Sequence, residues 1–247
     1  MIKRFHHFAA AVLAILAIAA FVEPITPVRA APAERFEVTS LKAVRPTLVN
    51  TLDAVQKRDA GAAREAFEAY DSAWNGIEVY VNTRSRPMYD LLEHQYQPKI
   101  TKALEGATPD FAALAPEVQG MLAKFDELVG MVEKAAPLNP LYDEVARLRI
   151  VRAHLREVPP ALKAGNFVKA RKSFKSFDDN WDSIEDLIKA RSADAYVAIE
   201  KGMIEIEEAL MPEKPDAAKA TALVNDVMTR YNAVLGEIAK DARAANR

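Results

Sequence analysis

Residues 70–93, YDSAWNGIEVYVNTRSRPMYDLLE, decide how the chain is read. With about 100° of turn per helical residue, Phe67, Tyr70, Trp74, Ile77 and Val81 form one apolar stripe. Asp71 and Glu78 fall within about 40° of Phe67 on the same wheel, along one flank of the stripe and not on the solvated face. Arg84-Ser85 then reads as a turn, with Ser85 an N-cap and Pro87 in the first turn of the following helix. On that helix Glu93 shares a face with Tyr89, four residues earlier. Glu78 and Glu93 each lie about 11 Å of helical rise from the turn, so an antiparallel hairpin brings them level.

The same pattern recurs. Residues 63–93 align without gaps to 170–200, with 11 identities in 31 positions, among them Arg64/Arg171, Asp71/Asp178, Trp74/Trp181, Glu78/Glu185, Arg84/Arg191, Tyr89/Tyr196 and Glu93/Glu200. After a one-residue gap, 109–135 aligns to 215–242. A unit of about 107 residues exceeds the 20–50 residues of solenoid repeats and reads as a duplicated domain. Each unit shows four helical segments, punctuated by RDAG or KAGN, then Arg-Ser, then ATPD or MPEKPD. Short turns make successive helices antiparallel. The expectation is an all-α protein, a tandem duplication of an up-down four-helix unit, with units at 31–136 and 137–247 joined through AAPLNP. A single eight-helix array is the alternative.

Composition agrees. The chain has 247 residues, half of them hydrophobic, 28% charged, with 8 glycines and no cysteine. Residues 1–30 read as a cleavable signal peptide: Lys3 and Arg4, an apolar run of 15 residues from Phe8 to Val22, and small residues at Val28 and Ala30. The run is short for a membrane span and no other run of spanning length follows. The mature chain is therefore expected in the periplasm or outside the cell. Its net charge of −2 becomes more negative once the leader is removed, which argues against a nucleic-acid partner. Without cysteine there is no thiolate metal site and no thiol nucleophile. Zinc-protease, nucleophile-elbow and phosphate-loop motifs are absent from the sequence, so an enzyme is not expected.

Facing carboxylates in a half-buried place need a cation, an arginine or a shared proton. One reading is an internal network in which Arg64, Arg84, Arg171 and Arg191, with the Trp74 and Trp181 N–H groups and the Tyr89 and Tyr196 hydroxyls, satisfy the acids. The other is a metal site in each unit, made by Asp71, Glu78 and Glu93, and by Asp178, Glu185 and Glu200. Oxygen ligands alone suit hard cations such as iron, manganese, calcium or magnesium. His154 and Glu157 form an H-x-x-E pair without a counterpart in the first unit, and an ordinary surface pair is expected there.

The spacing W-x-x-I-E, R-S, Y-x-x-[LI]-E stands here as Trp74-Ile77-Glu78-Arg84-Ser85-Tyr89-Leu92-Glu93, and again as Trp181-Ile184-Glu185-Arg191-Ser192-Tyr196-Ile199-Glu200. It resembles the helical extracytoplasmic segments that accompany bacterial iron permeases, over about 31 residues in each unit. The resemblance implies a free-standing partner of a membrane permease in metal uptake, with iron as the cation. The H-x-x-E is similar to that of the imelysin-like iron-uptake lipoproteins, although the lipoprotein cysteine is missing.

Overall fold

The turns explain the chain's path. In the computed structural model, which describes residues 34–245, every regular element is helical. The expected leader lies outside the described residues. Helix α1 (Phe36–Gln56) ends as the Asp59 N–H reaches back to the Ala54 carbonyl, with Arg58 in the left-handed region at φ 58°. Asp59 then caps α2 (Ala60–Arg84). Ser85 accepts from the Met88 N–H and starts α3 (Arg86–Leu91), continued by a π turn, Leu92–Tyr96, and by α4 (Gln97–Glu105). Asp110 caps α5 (Phe111–Lys134).

The second half repeats these devices. Helix α6 (Leu141–Arg156) leads into α7 (Val158–Lys163), where Pro159 and Pro160 supply no N–H to continue α6. The same left-handed turn follows, with Gly165 at φ 70° and the Asn166 N–H on the Ala161 carbonyl. Asn166 caps α8 (Phe167–Trp181), α9 (Glu185–Arg191) follows, Ser192 caps α10 (Ala193–Leu210) and Asp216 caps α11 (Ala217–Ala244).

Apolar faces at helical spacing build two cores within one compact unit that begins at Glu34. One core draws on residues 38–146 with Ala242, the other on 145–239. Helix α6 joins them: Tyr142 and Ala146 enter the first core, and Val145, Leu148, Val151 and Leu155 enter the second. It packs on α2, α8 and α11. Close approach to α2 is possible because residue 76 is glycine, where a Cβ would stand 2.3 Å from Ile150 Cγ1.

Besides the α6–α7 break, where α1 runs unbroken, the halves differ at two places beside the singled-out acids. Helix α2 runs unbroken, whereas its counterpart opens between Trp181 and Glu185. Conversely, α10 is continuous where the first half carries the π turn at Glu93. Matching residues lie 107 apart up to Glu93/Glu200 but 106 apart at the caps Asp110/Asp216. A π turn holds one residue more than an α turn, so the alignment gap has its physical place at Leu92–Tyr96.

Candidate functional site

In the first half the hairpin stacks Tyr89 on Trp74, with ring centroids 6.3 Å apart. Trp74 is buried against Tyr70, and Glu78 and Glu93 lie half-exposed around this aromatic floor. The partner of Glu78 is Arg149, whose guanidinium donates to Glu78 Oε1 at 2.7 Å. Both side chains are about one-fifth exposed, 21% for Glu78 and 22% for Arg149. Glu93 accepts from the carboxamide of buried Gln97 at 3.1 Å. Burial, first, and the Glu78 charge raise the Glu93 carboxyl above its ordinary range. The Trp74 N–H pulls the other way, though it falls short of a hydrogen bond. Asp71 stands at the outer edge of the face, its carboxyl raised by lost hydration and opposed by Arg156. Arg156 itself donates to Asn75.

The four repeated arginines are elsewhere. Arg64 donates to the carbonyls of Leu104 and Gly106, and Arg171 to those of Leu210 and Pro212, so each ties up the end of a helix. Arg84 forms a two-pronged pair with Glu37 at 2.6 and 2.7 Å, and Arg191 pairs with Asp241 at 2.6 Å. The expectation that these arginines satisfy the repeated acids is thus corrected. The cations come from α6, outside the repeated segment, because α6 is the helix that crosses α2. Position 42, the register counterpart of Arg149, is a lysine that pairs with Glu34 and Glu133 instead.

Two residues of this chemistry went unread in the sequence. Glu37 is 3% exposed, and its spacing of four and seven residues from Leu41 and Val44 places it on the inward face of α1, a legible signal. Arg149 carries no such signal, since only the crossing of α6 over α2 brings it to Glu78.

In the second half Trp181 stacks on Tyr196, centroids 6.4 Å apart, and its indole N–H does donate to Glu200. The Tyr196 hydroxyl is raised by desolvation and by the charges of Glu200 and Glu185. Asp178, Asp182, Glu185, Glu200 and Glu207 line a pocket of about 190 Å³ against Trp181. None of these five acids forms an ion pair among the described residues. The two halves therefore share an aromatic hairpin and differ in what faces the acids.

The acids expected to hold a metal do not fit one in the first half. A guanidinium and an amide N–H are aimed at the oxygens a cation would need. Among the described residues no group of three or more His, Asp or Glu is placed to hold a metal ion. His154 and Glu157 lie in a groove of about 520 Å³ between α2 and α8, where burial lowers the imidazole and Lys169 takes Glu157 at 3.1 Å. Comparison with known proteins finds no matching family model, curated protein or solved structure.

Proposed function

We propose that the chain is a noncatalytic helical interaction module, exported by its N-terminal leader and duplicated from one four-helix unit. The observation that carries this is the Arg149 guanidinium on Glu78, which fills the seat where a metal reading would put a cation. In this reading Glu78, through Arg149, ties the two cores together across α2 and α6. Equivalent seats for Arg64 and Arg171 on helix-end carbonyls support the duplication. The partner implied by the resemblance is a membrane permease.

A second reading has one specific observation behind it. The five acids of the second half face a pocket without a basic partner among the described residues. No three of them are placed to hold a metal as they stand, and a hard cation such as iron would have to draw them together. Titration calorimetry and thermal melts with ferric, manganese and calcium ions separate the two readings. The module reading expects no stoichiometric heat and an unchanged melting temperature. One metal bound per chain, lost in Glu185→Gln with Glu200→Gln, would overturn it in favour of the cation site.

A further inference from the structure

The outer face of α10 has no counterpart in the first half. Val197 is 63% exposed and Ile204 60%, with Met211 another seven residues on at 37%. Residues seven apart return to nearly the same side of a helix, so the three form one apolar seam. The inward face of α10 is independent of it, formed by Ile199, Met203, Ile206 and Leu210. In the first half the matching positions hold Asp90, Pro98 and Glu105, all polar or ring-locked. Ile204 also lines the acid pocket, so the seam runs along its rim. Each of Val197 and Ile204 is followed three residues later by a pocket acid, Glu200 or Glu207.

The molecule itself shows what such a face accepts. On α2, Glu78 and Asn75 receive Arg149 and Arg156 of α6, two arginines seven residues apart, while Ile150 packs over Gly76. The α8–α10 face offers the same carboxylates, at the positions of Asp71, Glu78 and Glu93, without an occupant from residues 34–245, and adds an apolar seam that the first half lacks. A second copy docking by the same face would set Glu200 and Glu207 against their own kind, an unfavourable juxtaposition. A helix with an apolar stripe and a flanking row of arginines matches both the seam and the charge.

We propose that the α10 face docks an amphipathic helix of a partner protein, one carrying two arginines a heptad apart beside an apolar seam. The inference rests on the interaction-module reading and names the partner's chemistry. Val197 and Ile204 supply the contact area, and Glu185, Glu200 and Glu207 set the direction and register through the arginines.

The probe is a designed helical peptide with Leu every seven residues and Arg flanking it, followed by fluorescence anisotropy against the full chain. Micromolar binding is expected. It should weaken at least tenfold in Ile204→Ser, at least tenfold in the Glu185→Gln/Glu207→Gln pair, and with a scrambled peptide of equal charge. Equal binding of the scrambled peptide would overturn the proposal, as would loss in Ile204→Ser alone, which marks a sticky patch only. A dimer seen by sedimentation and abolished by Ile204→Ser would assign the face to a second copy and also overturn it. Ile204→Ser, at an exposed site, should keep the wild-type melting temperature, so lost binding is not unfolding. Failure of the peptide to bind ends this inference alone. The module reading fails separately, by stoichiometric metal binding in the absence of peptide.

Discussion

Replacing Glu78 by Gln tests whether the first-half acid is a structural ion pair. The substitution keeps size and the acceptor oxygen but removes the charge facing Arg149. Exposed pairs are worth about 0.2–1 kcal/mol, and breaking a fully buried one costs about 3–5 kcal/mol. With side chains 21% and 22% exposed, this pair lies between those limits. A loss of about 2 kcal/mol is expected, partly because Arg149 Nε already has no acceptor. For a chain of this length that lowers Tm by about 4–8 °C. Arg149→Met removes the other charge and relieves Arg152, whose guanidinium is lowered by burial first and then by Arg149 and Arg156. Arg149→Met should therefore cost less than Glu78→Gln. The double variant should show a coupling of about 1–2 kcal/mol by urea denaturation in chelator. A Glu78→Gln melting temperature within about 1 °C of wild type, or zero coupling, would refute the reasoning. Full destabilisation seen only on adding chelator to the wild type would instead reveal a metal in the pair's place.

Two further outcomes follow from the local geometry. Arg58 occupies the left-handed position that Gly165 holds in the matching turn. Arg58→Gly should therefore stabilise by about 0.5–1 kcal/mol, and Gly165→Ala should destabilise by about 1 kcal/mol, both read from chemical melts. For Glu93, the folded carboxyl is raised by burial and by Glu78, so the fold binds its proton more tightly than the unfolded chain does. Stability then falls as pH rises from the ordinary carboxylate range through the raised value, and the penalty is complete above it. Glu93→Gln should be at least as stable as wild type at pH 7 and lose that advantage at pH 4; the reverse order would contradict the burial argument.

Much of the hairpin was legible from residues 70–93. The turn at Ser85 and the buried stripe of Phe67, Tyr70, Trp74, Ile77 and Val81 follow from helical periodicity and one N-cap, which are local properties, and the Glu78 charge does act on Glu93. The caps at Asp110 and Asp216, and the linker that ends at α6, were legible for the same reason. The partners were not. Arg64 and Arg84 recur beside the acids in sequence, yet Arg64 reaches helix-end carbonyls and Arg84 reaches Glu37 across the bundle. Long side chains choose among neighbours brought by packing, and sequence distance carries no information about those.

The amino-acid sequence alone therefore determined the main helical segments, their capped turns and the repetition of a carboxylate-bearing hairpin, because each depends on residues a few positions apart. The breaks before α7 and α9 and the π turn at Leu92–Tyr96 emerge only in the structure. The tertiary structure decided what the acids face. Helix α6 crosses α2 at Gly76 and brings Arg149 to Glu78, whereas Asp178 and Glu185 on α8 and α9 receive no arginine or lysine among the described residues. Electrostatic partners are set by which elements cross, and that depends on the packing of the whole chain.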